Sequence, residues 1–272
     1  MIKVIGIPIT NRSKFNIPKR KSDAKTGSEF IQEIMDMGLT EEREKLIAEQ
    51  ILDGNIPDFM RIEHAIRITD GDSNCTIFTL PDYLCIGASY DYVRMPMNPM
   101  TAQTIANAFN ACLPTRKIVN DLWSNENSKK LEPQPWGPPY DASMYSSKRY
   151  MDHSHRIDTQ VEDKEFMLGQ LFVGHKKDVV NTANFNDKDP IQHVAIYGWQ
   201  RLDGTPIQGP GVQSSAHAIT YADYSHGIRL ISREVHLNKT TIDIYDVLES
   251  ENDCSIISDE GVVTNHYPIY EL

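Results

Sequence analysis

Apolar residues in the first quarter of the chain recur at helical spacing. Phe30, Ile31, Ile34 and Met35 follow Ser28, and Leu46, Ile47 and Ile51 follow Thr40, so each hydroxyl residue stands where a helix cap would accept backbone N–H groups. Glu41 and Glu42 add negative charge to the positive first turn of the second helix, and Gly54 and Pro57 end it. At Arg61 the period shortens to two. Ile62, His64, Ile66 and Ile68 alternate with Arg61, Glu63, Ala65 and Arg67, as on a half-buried strand. His64 shares its face with three isoleucines and is expected to be an inaccessible core histidine, hydrogen-bonded and far from any ligand. Residues 75–80 and 83–88 flank the turn-prone Leu80-Pro81-Asp82-Tyr83 and predict a hairpin. Thr101 opens a helix carrying Ala102, Ile105, Ala106 and Phe109. Leu113-Pro114 breaks it, and Thr115 caps another that carries Ile118, Val119, Leu122 and Trp123.

The stretch 133–139 holds four prolines, Gly137 and Trp136, which rules out regular structure there. It marks the crossing from a helix-rich region with a short hairpin, 1–132, to a β-rich region, 140–272. After a polar segment at 145–164 with helical character, strand-like runs fall at 168–173, 178–182, 193–199, 216–221, 227–235 and 241–245. This order predicts an α+β fold, with a helix-rich N-terminal half followed by a mainly antiparallel β-rich C-terminal half in one compact unit. Its main sheet is expected from 168–245, with helices from 101–126 packed against it.

The 272 residues carry a formal charge of −11, with 40% hydrophobic and 24% charged side chains, as in an ordinary globular protein. That charge disfavours a nucleic-acid partner, which needs clustered Lys and Arg; the one basic stretch, 14–25, is short and mixed with Pro and Asn. No apolar run is long enough to span a membrane, and the opening M-I-K-V-I-G-I-P-I-T has too short an apolar core for a secretory signal, so a cytoplasmic location is expected. Cys75, Cys85, Cys112 and Cys254 form no C-x-x-C pair. Across the expected hairpin the first two would be offset along the ladder, so reduced thiols are expected.

Reactive side chains concentrate between Ser214 and Arg229, where His217, Tyr221, Asp223, Tyr224, Ser225, His226 and Arg229 lie close together. His217, Asp223 and His226 have the residue types of a two-histidine, one-carboxylate site for zinc or iron, in which an open position would activate water. Ser215, His217, Ala222 and Asp223 resemble the S-x-H-x-x-G-x-A-x-D motif of zinc D-alanyl-D-alanine peptidases. The aspartate comes one residue early, Thr220 replaces the glycine, and the only H-x-H, His153-Ser154-His155, lies upstream, so the chain is not assigned to that family. Gly174-His175-Lys176-Lys177-Asp178 reads either as a cationic lip for a carboxylate or phosphate, or as an exposed strand end laced with charges.

Cys112 offers a second chemistry, since the positive end of the helix capped by Thr115 could lower its thiol pKa. A cysteine early in a helix with histidines on later strands is the chain order of papain-like hydrolases. His193-Val194-Ala195-Ile196-Tyr197 also resembles the H-V-G-I-Y strand of bacterial cell-wall cysteine peptidases. The D-C-S-G and C-G-x-C-W contexts are absent, and apolar Ala111 and Leu113 suit a buried structural thiol. No G-x-G-x-x-G, P-loop or G-x-S-x-G motif is present, which disfavours nucleotide cofactors and serine-hydrolase chemistry.

The expected function is therefore a hydrolase acting on a peptide or polysaccharide-like substrate through a His/Asp cluster, its partner a small-molecule, peptide or glycan substrate. Its catalytic group would be His226, His217, Asp223 and His175, with Lys177, Tyr224 and Arg229 binding substrate and Zn or Fe as a possible assistant. Trp136 and Trp199 would suit a sugar or peptide chain. A Cys112-dependent hydrolase is the variant. A non-enzymatic binding or structural protein, in which the same residues form a buried polar network, is the alternative.

Overall fold

The computed structural model describes residues 3, 4, 13–188, 190–214 and 216–270. Ser215, which belongs to the motif discussed above, and most of the opening segment lie outside them. Helix accounts for 29% and strand for 22%, in a mixed α+β arrangement with several antiparallel sheets. Among the described residues no helix is long and apolar enough to cross a membrane.

A short strand, β1 (Lys3–Val4), precedes helices α1 (Gly27–Glu33) and α2 (Glu41–Leu52). Thr40 caps α2 by accepting the Arg43 N–H at 3.2 Å, as its position predicts. The cap of α1 is Thr26 rather than Ser28, because Glu29 returns its carboxylate to the Thr26 N–H at 2.8 Å and closes a capping box. Next come β2 (His64–Asp70) and β3 (Ser73–Thr79), then β4 (Cys85–Ala88) and β5 (Asp91–Arg94). The expected pairing of 75–80 with 83–88 does not form. Instead β3 pairs with β2 and β4 pairs with β5, each across its own tight turn.

Helix α3 (Pro99–Ala108) starts at Asn98, whose side chain accepts two backbone N–H groups at 3.0 Å, with Pro99 in the first turn. Thr101 thus lies inside the helix, and its hydroxyl donates to Glu44 at 2.7 Å. After β6 (Ala111–Cys112), Thr115 caps α4 (Arg116–Ser124) as expected, and β7 (Lys129–Lys130) follows. The Pro-rich stretch is irregular. It leads to α5 (Ser147–Asp163), the longest helix, so the second half is not purely β.

The remaining strands are short: β8 (Met167–Leu168), β9 (Phe172–Val173), β10 (Lys177–Val179), β11 (Ile196–Gly198), β12 (His226–Gly227), β13 (Ile231–Ser232), β14 (Glu234–Leu237) and β15 (Thr240–Asp243), before α6 (Ile244–Glu249). Residues 216–221 form turns rather than a strand, with one bridge between Ala218 and His193.

The largest sheet has six strands in the order β15-β14-β3-β13-β6, with β2 also on β3. Its centre, β3, comes from the first third of the chain, so the expected sheet built from 168–245 alone is corrected. One core lies under this sheet, where Ile66, Ile68, Ile77, Ile231 and Val235 meet Ile118 and Leu122 of α4 and Val247 and Leu248 of α6. Fully buried Cys112 sits in it. A larger core gathers α1, α2, α3 and α5 around β4 and β5. His64 is half-buried rather than inaccessible, and its Nε2 lies 2.8 Å from the Gly169 carbonyl oxygen.

Candidate active-site cleft

Strand β10 is the centre of a three-stranded sheet, antiparallel to β11 and parallel to β12. Lys177 stands opposite His226 on one side and Gly198 on the other. Alternation along a strand sends neighbouring side chains to opposite faces. Lys177 lines a cleft, while Asp178 points to the other face and accepts the Tyr83 hydroxyl at 2.7 Å. Gly227 makes that second contact possible, since a Cβ there would come within 2.5 Å of the Tyr83 ring.

The cleft has a volume of about 560 Å³ and is walled by Trp136, Tyr140, Tyr145, Trp199 and Tyr224. His217, Tyr221, Asp223 and Lys177 supply its polar lining. The His217 ring stacks on Tyr221, with centroids 4.1 Å apart and planes 14° from parallel. The Tyr221 hydroxyl in turn donates to Asp223 Oδ2 at 3.1 Å. Asp223 Oδ1 accepts the Ser225 N–H at 2.8 Å and the Ser225 hydroxyl, an aspartate turn that holds the carboxylate at the cleft wall.

Burial alone would raise the Asp223 carboxyl. The neighbouring His226 and Lys177 and the Ser225 hydrogen bonds outweigh it and hold the group at about 2, hence ionised at neutral pH. Burial lowers His217 below the ordinary histidine range despite Asp223, so its imidazole is neutral at pH 7. Burial also lowers the Lys177 ammonium, which lies 4.7 Å from the Trp199 ring centroid.

Beneath the cleft the polar groups are enclosed. His226 is fully buried, its two ring nitrogens have no hydrogen-bond partner among the described residues, and burial pushes it down to about 3. Lys176, pushed down to about 7 by burial, donates to the Tyr224 carbonyl at 2.7 Å. Tyr224 ties several segments together. Its hydroxyl accepts the Trp136 N–H at 2.7 Å and its own N–H donates to the Met144 carbonyl at 3.1 Å.

Behind this layer Asp82 accepts from Arg94 Nε at 2.8 Å and lies 3.1 Å from His175 Nε2. Arg94 also reaches Asp158 at 2.7 Å. Arg229 donates to the Phe172 carbonyl at 2.6 Å and pairs with Asp178 at 3.6 Å. Burial pushes Asp178 up to about 6 and His175 down to about 4.

These shifts predict weakening in mild acid. Six histidines (His64, His153, His175, His217, His226 and His266) are lowered by burial, whereas an unfolded histidine titrates near ~6.5. Just below that pH the unfolded chain takes up protons that the folded chain refuses, so stability falls as pH drops. Glu44, Asp121 and Asp178, raised by burial, act in the opposite sense between the unfolded carboxyl range and their folded values, but they are fewer. The urea midpoint should therefore decrease from pH 7 to pH 5, and a level or rising midpoint would contradict this balance.

The structure brings together His217, Asp223, Tyr224 and Lys177 around one cleft, with His226 directly below. It does not bring His175 or Arg229 there. Both are buried on the far side of β10, committed to Asp82 and Asp178. The H-K-K-D run is not an exposed strand end, since all four residues are buried, and of its two lysines Lys177 lines the cleft. Among the described residues no three His, Cys, Asp or Glu side chains are grouped to hold a metal ion, so the expected Zn or Fe ligand set is not formed. The His217 and His226 ring centroids are 6.3 Å apart, and Asp223 accepts hydrogen bonds from Tyr221 and Ser225.

Cys112 is not beside the cleft, and burial raises its thiol well above the ordinary range, against the expected helix-end activation. All four cysteines are free and buried. Asp82, Arg94 and Asp158 are not marked by any motif in the sequence. Arg94 did leave a signal, as a lone cation within the apolar Tyr92-Val93-Arg94-Met95 run. Compared with known proteins, the chain matches no family model, no curated protein and no solved structure.

Proposed function

We propose that the cleft is the active site of a hydrolase acting on a peptide or polysaccharide-like substrate. The observation that carries this reading is the meeting of a neutral imidazole, His217, an ionised carboxylate, Asp223, and the Lys177 ammonium in one aromatic-walled cleft. His217 acts as general base, taking a proton from water as the water oxygen bonds to the scissile carbon. The leaving nitrogen or oxygen then recovers that proton from the imidazolium, which Asp223 stabilises in between. Lys177 and Tyr224 bind the substrate. His226, enclosed below, positions the floor instead of meeting substrate.

The alternative of a purely structural network suits the layer of Asp82, Arg94 and Asp158, whose charges are mutually paired. It suits the cleft less well, because His217, Asp223 and Lys177 line an open cavity walled by aromatic side chains instead of being enclosed by one another. The test is incubation with pooled peptides and glycan polymers, followed by mass spectrometry for product pairs that sum to substrate plus one water. Asp223→Asn should reduce product formation about 10-fold or more. No product from the parent, or equal product from the variant, would refute the reading.

A further inference from the structure

We propose that the cleft takes the C-terminal end of a peptide, pairing its free α-carboxylate with Lys177 and accepting the N–H of the same residue at Asp223. The proposal rests on the hydrolase reading of this cleft and narrows its substrate. Its main support is one cation in the cleft that has no hydrogen-bonded or ion-paired partner among the described residues. Four other buried cations have partners: Arg94 on Asp82 and Asp158, Arg229 on Asp178, Arg43 on the Tyr145 carbonyl, and Lys176 on the Tyr224 carbonyl. Lys177 is only 6% exposed and lines the cleft; its ammonium faces the Trp199 ring at 4.7 Å, and among the described residues it has neither a hydrogen bond nor an ion pair. A nearly buried charge is costly unless paired, so the cleft presents a cation that a ligand anion can pair with directly.

Asp223 lines the same cleft and acts on Lys177 through space without forming a direct ion pair with it. Its carboxylate already accepts three hydrogen bonds, from the Ser225 N–H, the Ser225 hydroxyl and Tyr221, which leaves capacity for about one more. A ligand suited to this pair carries an anion and a donor close together. The last residue of a peptide does so, because its α-carboxylate and N–H share one carbon. Burial grades in the same direction: Lys177, Asp223 and Tyr224 at the floor are nearly inaccessible, whereas Tyr140 at the rim is 73% exposed. A chain end can therefore reach the floor while the rest of the peptide leaves past Tyr140. A residue inside a chain would bring no α-carboxylate.

The test is calorimetric titration with N-acetyl dipeptides ending in Ala, Leu, Phe or Lys, as free acids and as C-terminal carboxamides, with methyl glucuronide as the acidic-sugar arm. The parent is compared with Lys177→Met, which keeps the apolar stem, and Lys177→Arg, which restores the cation. At least one free acid should bind about tenfold or more tightly than its carboxamide. Lys177→Met should abolish that preference and Lys177→Arg should recover most of it. The proposal is overturned if no probe binds, if acids and carboxamides bind alike, if the preference survives Lys177→Met, or if methyl glucuronide binds best. Should Lys177→Met fail to fold, the acid preference in the parent and in Lys177→Arg decides. An acid preference without cleavage of any polymer would overturn the hydrolase reading and leave the carboxylate pairing standing.

Discussion

Replacing Arg94 with alanine should destabilise the protein by about 3–5 kcal/mol, the usual cost of removing one member of a buried ion pair. The guanidinium is fully buried and bonds Asp82 at 2.8 Å and Asp158 at 2.7 Å. Burial would raise Asp82, but Arg94 first and His175 second hold it well below the ordinary carboxylate range. Removing the arginine leaves a buried carboxylate that must either stay charged without its main partner or take up a proton. The loss should spread beyond the pair, since Asp82 also fixes His175 and the Tyr83 N–H. Lys148→Ala is the control. Its partner Asp152 lies one helical turn away in solvent, and such pairs contribute about 0.3–0.5 kcal/mol. Urea denaturation of both variants beside the parent reads the difference, and equal midpoints would contradict the account of the buried network.

His217→Ala should lower kcat/KM by about 10²–10⁴ on any polymer that the parent cleaves, the range expected for loss of a general base. Folding stability should change by about 1 kcal/mol or less, because the ring is half-buried and among the described residues makes no hydrogen bond that would be orphaned. The pH profile separates catalysis from packing. Because burial lowers His217, the parent should keep full activity down to its depressed pKa, somewhere below pH 6.5, and lose it in more acid solution. The residual activity of the variant should lack that acid limb. A variant that keeps both the parent rate and the limb would remove His217 from the mechanism.

What could be read from the sequence was local. The caps at Thr40 and Thr115 depend on residues three positions apart, and both form as expected. The gathering of His217, Asp223 and His226 was legible for the same reason, since a turn at 223–225 joins them over ten residues. Pairing across long separations was not. Nothing near Thr79 indicates that it will face Ile231, and strands of two or three residues are too short to leave a period. The fate of the H-K-K-D run shows the limit most clearly. Strand alternation assigns Lys177 and Asp178 to opposite faces, but only the packing of Tyr83 and Arg229, some 50–95 residues away, decides which face is cleft and which is interior.

Tyr224 has a consequence for how ligands can be found. Through its N–H, carbonyl and hydroxyl it connects the segments around Met144, Lys176 and Trp136, while Lys177 N–H donates to the Ser225 carbonyl beside it. A molecule lodged between these segments is held by parts of the chain that separate on unfolding, so its binding energy adds to the stability of the whole. A ligand at one hundred times its Kd would contribute about 2.7 kcal/mol. Melting temperature is thus a reporter of occupancy that requires no turnover, and a library of chain ends can be ranked by heating the unlabelled protein.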